Sequence, residues 1–433
     1  MKNLRYVSIA LLVISCILII PALADDWSQW RGPNRDGVWH ETGIIDKFEG
    51  EEIPIRWSVP IGSGYSGPTV ADGRVYVMDR LTKPKQVERV HCFDWETGDE
   101  IWSHTYDCVY RIEYPVGPRA NVTVHDGLAY TLGAMGHLHC FDAATGDIKF
   151  QKDLNAEYNI NMPIWGIACA PLIEDDLLIV QIGGKPAACV VAFDRKTGEE
   201  RWKALEDNAS YSAPIMIEQA GQRVLICWTG WNVTALDPKT GEVHWKYPMP
   251  PTRWEIGIAT PIYENNQLFV TNFYEGAALL KLSDDKLEYE LGWHRQGKDE
   301  RNTDALQTTM STPIWIGDHI YGVDSYGELR CLDAKTGDRV WTDLSAVPVD
   351  RWSTIQFVQN ADKVWMFNER GELLITELSP EGLNIISRAK LIAPTKGQLN
   401  RRGGVTWAHP AFAYKHVFAR NDKELVCASL EKK

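Results

Sequence analysis

The sequence contains no Cys-Cys pair and no Cys-x-x-Cys, so it lacks the usual dithiol redox and paired-cysteine metal motifs. It also has no Gly-x-Ser-x-Gly, no Walker-type phosphate loop and no His-Glu-x-x-His, which removes common hydrolase, nucleotide and metalloprotease signatures. After residue 24 no apolar run is long enough to cross a bilayer as a helix. Positive charge is scarce: 45 Lys and Arg stand against 58 Asp and Glu, for a net charge of −13. That balance repels phosphate and argues against general nucleic-acid or anionic-membrane binding.

The first 24 residues have a basic start (Lys2, Arg5), an apolar run from Tyr6 to Ile20, and Ala22-Leu23-Ala24 before Asp25. This is the layout of a secretory signal peptide, which predicts export to the periplasm or beyond. A retained anchor is one alternative. Lipidation at Cys16 is another, disfavoured because Ile17 to Ile20 continues the apolar run. Loss of Lys2 and Arg5 with the leader takes the net charge from −13 to −15.

The body is organised by a turn that recurs. Leu236-Asp237-Pro238-Lys239-Thr240-Gly241 leads to Trp245, and the pattern returns around Asp94 and Gly98, Asp142 and Gly146, Asp194 and Gly198, and Asp333 and Gly337. In each copy an aromatic follows the Asp by eight residues: Trp102, Phe150, Trp202, Trp245 and Trp341. Asp caps its own downstream amides and Gly accepts positive φ, so these are chain reversals between strands. Degenerate copies at Ser283, Ser379 and Glu431 extend the series, with spacings of 43 to 52 residues. Each unit adds a short strand near a Pro (Pro68, Pro171, Pro214, Pro261, Pro313, Pro410), then a tight turn and an apolar strand. Four short strands per repeat and eight repeats predict an all-β, eight-bladed propeller of antiparallel blades. The last unit lacks an outermost strand, while Arg56 to Val59 is spare. Pairing the two closes the ring and removes its open edges.

Eight cysteines follow the leader, at 92, 108, 140, 169, 189, 227, 331 and 427. An even count in an exported chain is compatible with disulfides. However, Cys92, Cys140 and Cys331 share one repeat slot with Ala192 and Ala235, which favours small, reduced core residues.

These repeats resemble those of the PQQ-like (quinoprotein dehydrogenase-type) β-propellers, over about Trp27 to Leu430. In size and blade count the chain is similar to the outer-membrane assembly-factor lipoproteins B, propellers without enzymatic activity. The implied division is a leader over 1–24, an irregular strap over 25–52 that opens with Trp27-Ser28-Gln29-Trp30-Arg31-Gly32, and the propeller over 53–431. The resemblance leaves two function classes open. The leading one is a non-catalytic scaffold, a monomer without cofactor, that binds an envelope protein, peptide or glycan at the channel mouth. The alternative is an oxidoreductase using pyrroloquinoline quinone with calcium. In such enzymes Glu and Asn hold the Ca²⁺ beside a catalytic Asp. Glu255, Asn161 and Asp304 lie in suitable loops here, but in no alignable motif.

The loops entering the innermost strands carry Tyr65, Arg119, Trp165, Tyr211, Trp254, Glu255, Trp352, Trp407 and His409. Such a ring either stacks on a planar or sugar-like ligand or fills the taper of the channel. No catalytic residue is assigned and no metal site is expected; His137 and His139 share one strand face and read as polar core.

Overall fold

In the computed structural model residues 25–433 are described, so the leader and Cys16 lie outside the described residues. Eight four-stranded antiparallel sheets are arranged as the repeats predict. The first contains Thr69–Ala71, Arg74–Leu81, Val87–Asp94 and Glu100–Asp107, running from the channel outward. In the last sheet the outermost strand is Ile55–Pro60, taken from the start of the chain and paired with Glu424–Ser429. Ring closure is therefore as the sequence implied. A short helix, Leu154–Tyr158, interrupts the β pattern and is capped by the Asp153 carboxylate, which accepts from Ala156 N–H at 3.1 Å.

The signature turn works as its residues require. The Asp237 carboxylate accepts from the N–H groups of Lys239 at 2.7 Å and Thr240 at 2.9 Å. Gly241 closes the turn by donating to the Asp237 carbonyl at 2.9 Å, with φ of +73°. Gly98, Gly146, Gly198 and Gly337 also have positive φ, between +73° and +77°. A bulge follows in the outer strand, so the aromatic faces the small slot of the neighbouring strand: Cys92 opposite Trp102, Cys140 opposite Phe150, Ala192 opposite Trp202. In the closing blade Cys427 lies opposite Trp57. All eight described cysteines are free and buried, and four of them (Cys92, Cys140, Cys331 and Cys427) occupy that slot.

The N-terminal segment does more than strap the surface. Trp27 exchanges backbone hydrogen bonds with Val70 on the innermost strand of the first blade. Further on, Ser28 O accepts from Val124, Trp30 Nε1 donates to Thr260 Oγ1 at 2.8 Å, and Arg35 donates to the carbonyls of Pro171 and Pro214. Trp39 then pairs with Gln359. These partners belong to six different blades and sit on or beside the innermost strands. Residues 27–39 thus cross the central channel and close it below the mouth.

The turn glycines face a second constraint. A methyl on Gly241 would meet Trp202 of the preceding blade at 2.5 Å, whereas one on Gly127 (φ +70°) would meet nothing within 4 Å. Gly127→Ala should therefore cost only the backbone strain, about 1 kcal/mol. Gly241→Ala should cost a further ~1–3 kcal/mol of overpacking. Equal losses in urea melts of the two variants would refute the aromatic contact as the reason for glycine.

Candidate functional site

Loops entering the innermost strands converge on one end of the channel and enclose a cup of about 420 Å³. Tyr65, Arg119, Trp165, Tyr211, Trp254, Trp352 and Trp407 all line it, as the loop positions predicted. Its wall is stiffened by aromatic and cation contacts. Trp165 and Tyr211 lie 5.3 Å apart between ring centres. The guanidinium of Arg119 sits 4.7 Å over Tyr65, and that of Arg351 sits 4.4 Å over Trp352. Trp407 belongs to a small apolar cluster with Leu399 and Val405, against which Tyr65, Met310 and Trp352 pack.

One contact spans the mouth. Tyr114, from the loop after the first blade, meets Trp352, from the loop before the seventh, edge-on at 6.4 Å. Both residues have left-handed backbones, φ +49° and +69°. Bulky side chains rarely adopt this region, and such strain is held mainly where the surrounding structure fixes a functional geometry. Here Trp352 N–H donates to Ser325 O at 2.8 Å, and Arg119 Nη2 donates to Tyr114 O at 2.7 Å. The strained pair is pinned from both sides.

A family model described as outer membrane protein assembly factor BamB matches residues 86–343, more than half of the chain. The chain belongs to this family. It is 22% identical over 162 residues to the outer membrane protein assembly factor BamB of Shewanella oneidensis. That match covers 37% of this chain and 40% of the relative's length, so the chain spans well under two thirds of it there. The crystal structure of BamB from Moraxella catarrhalis superposes with a TM-score of 0.60 at 15% identity, covering 88% of this chain and 98% of that one. A europium-containing methanol dehydrogenase superposes with a TM-score of 0.63 at 14% identity, covering 93% and 89%. At such identities the structures establish a shared fold.

Two residues expected at the mouth are placed elsewhere. Glu255 turns away from the cup, accepting from Asn208 Nδ2 at 2.8 Å and from Trp231 Nε1 at 3.2 Å. His409 lies below it, packed against Trp27 and Trp30 of the channel-crossing segment. Burial depresses its pKa to about 3, so the ring stays neutral. A position just before an innermost strand fixes a residue's level in the ring, not the side to which it points. Of the groups the dehydrogenase resemblance would use, Asn161 is bonded to Asn208 and Asp304 is paired with Arg295 at 2.9 Å. Neither lines the cup, and Glu113 is the one carboxylate residue that does.

Several lining residues escaped the sequence reading. Tyr114 lies in an irregular loop outside the repeat register, and Tyr274 lies on the hairpin between the second and third strands of its blade, not on a loop entering an innermost strand. Glu369 was also missed: it is fully buried beside the mouth, bonded to Arg402 at 2.8 Å and to Trp407 Nε1 at 3.4 Å. Burial raises its pKa to about 7, against the pull of Arg402.

The aromatics divide by exposure. Trp407 is 8% exposed and Trp254 is 44% exposed. Trp407→Ala should cost about 3–5 kcal/mol, as for a packed core aromatic, while Trp254→Ala should leave the melting temperature nearly unchanged. Equal shifts would remove the distinction between wall and contact residue. For Glu369 the folded pKa lies above the ordinary 4.5, so its share of stability is full below 4.5 and lost as pH rises through about 7. Glu369→Gln should flatten that decline in urea melts; an unchanged slope would assign it to other groups.

Proposed function

We propose that this protein is an exported envelope scaffold that binds a polypeptide segment at the mouth face, with the aromatic cup as its anchor pocket. The observation that carries this reading is the character of that face. On the mouth-end loops Val109, Ile164, Trp231, Trp254, Leu344 and Val349 are exposed although large and apolar, and Ile164 and Trp254 line the cup itself. All lie on loops of the same end of the ring, and clustered exposed apolar groups mark interaction surfaces. Exposed Arg253, 5.9 Å over Tyr274, adds the arginine–aromatic chemistry of binding hot spots. Family membership agrees, since the family's description is that of an assembly factor. Among the described residues no helix is long and apolar enough to cross a membrane.

A second reading draws support from the fold shared with methanol dehydrogenase and from a cup that suits a planar ligand. The donor set weighs against a calcium–quinone pair. A hard cation takes six or more oxygens, and the cup lining supplies the carboxylate of Glu113 and three arginines.

Wild type, Trp231→Ala and Trp254→Ala proteins should melt alike, while both variants lose most of the partner retained from an envelope extract by wild type. Unchanged retention would sink the mouth face as the docking surface. In parallel, titration with pyrroloquinoline quinone and Ca²⁺, followed by absorbance and dye-linked alcohol oxidation, tests the other class. Saturable binding with turnover would replace the scaffold reading.

A further inference from the structure

Away from the cup, where the first two blades meet at the mouth face, three side chains of different chemistry converge. Glu88 comes from Val87–Asp94, Cys108 from the residue after Glu100–Asp107, and His137 from the start of His137–Asp142. One ligand atom from each lies within 4.8 Å of the others, and Cys108 Sγ is 3.7 Å from His137 Nδ1. Glu88 is 0% exposed and Cys108 2% exposed, while His137 is half-buried and faces solvent on one side.

The surroundings of Glu88 are unusual for a structural carboxylate. Among the described residues it has no ion-pair partner, yet it is held by the hydroxyls of Tyr106 at 2.5 Å and Tyr110, and by Ala134 N–H at 3.1 Å. A methyl on Gly133 would overlap both the carboxylate and the Tyr106 hydroxyl. Glycine at this point therefore makes room for the acid. Arg80, the cross-strand partner of Glu88, stacks over Tyr110 at 3.9 Å and donates to Pro115 O and Gln86 Oε1, so the acid keeps neutral hydrogen-bond donors, with a thiol and an imidazole beside it.

We propose that Glu88, Cys108 and His137 form a site for a borderline-soft divalent ion of the Zn²⁺ class, which fastens the mouth loop Cys108–Gly117 to the second blade. One sulfur, one imidazole nitrogen and one carboxylate oxygen are the donor types zinc takes, and three protein ligands leave a fourth position for water. Tyr106 and Tyr110 orient the carboxylate from behind, as second-layer partners do. On binding, the Cys108 thiol yields its proton to solvent and the thiolate coordinates the ion. The loop so fastened carries Glu113 and Tyr114, both of which line the cup. The site is independent of what the cup binds.

The test uses the full mature chain stripped with chelator and titrated with Co²⁺, which reports a thiolate ligand through a sulfur-to-metal charge-transfer band. One equivalent should saturate the band, and Zn²⁺ should displace it. Cys108→Ser should abolish the band, and Tyr110→Phe should weaken binding about 10–100-fold while keeping it. Zn²⁺ should also slow tryptic cleavage after the exposed Arg111 in that loop. Absence of the band in saturated wild-type protein overturns the site without reliance on any variant's folding. Full binding by Cys108→Ser overturns the ligand assignment, and unchanged cleavage after Arg111 overturns the fastening role.

Discussion

The ring depends on one repeated contact, the aromatic of each outer strand seated on the signature turn of the next blade. Trp102 lies against Gly146 and donates through Nε1 to Ala143 O at 3.1 Å; Trp202 lies against Gly241 and donates to Pro238 O at 3.0 Å. Trp57 does the same at Gly98 and Trp95 O, so the strand that closes the ring brings its own docking residue. A ring needs every joint, and the departures from the pattern show how each is kept. Phe150 has no N–H and rests on Gly198 by packing alone. Where the turn at Ser283 has lost its glycine, Gln219 accepts from Trp245 Nε1 at 3.1 Å and donates onward to Lys286 O and Glu288 O. The outer strand Gly382–Lys390 has no tryptophan at all. At that joint the N-terminal segment intervenes: Ile45 N–H donates to Leu430 O, Phe48 N–H to Ser387 Oγ, and Phe48 packs on Trp365.

This explains what was legible in the sequence. The turn, the aromatic eight residues on, the slot shared by Cys and Ala, and the spare strand at Arg56 to Val59 all express the docking contact in local spacing, so a single chain displays them. The level of the mouth aromatics was legible for the same reason, since the repeat fixes where each loop enters the channel. Side-chain direction was not, because it depends on the neighbouring blade, and Glu255 and His409 turn out and down respectively. Glu88 and His137 come from strands of two different blades and Cys108 from the loop between those blades, with no spacing that announces them. The notable histidine pair of the sequence separates in role: burial holds His139 near a pKa of 3 beside Phe141, while His137 alone reaches Cys108.

The two ends of the ring are built for different work. The Asp-Gly turn end repeats one geometry with small variation, as a structural joint requires. The mouth end is irregular, carrying the long loops, the left-handed Tyr114 and Trp352, and the arginines stacked on aromatic faces. Loops of variable sequence on a rigid repeat scaffold can change partners without disturbing the joints. One fold can for that reason be shared by assembly factors and dehydrogenases, whose differences lie in what the mouth presents.

The channel-crossing segment decides how the cup can be used. Arg31 and Arg35 are buried with no carboxylate salt bridge among the described residues; their guanidinium groups donate to Arg35 O and Asp36 O, and to Pro214 O and Pro171 O. Burial lowers their pKa values to about 10 and 9, both far above neutrality, so each stays charged with neutral oxygens as its counterpart, backbone carbonyls for both and Gln29 Oε1 at 2.8 Å for Arg35. Proline at the head of an innermost strand contributes twice here, sparing an amide that would have no ladder partner and leaving its carbonyl to accept from the channel. A segment held this way, by blades on all sides of the axis, cannot be withdrawn without stripping the Arg35 cation of the Pro171 and Pro214 carbonyls. The channel is therefore not a conduit between the two ends of the ring. Whatever the cup receives must enter and leave by the mouth, past Trp254 and the loop that carries Tyr114.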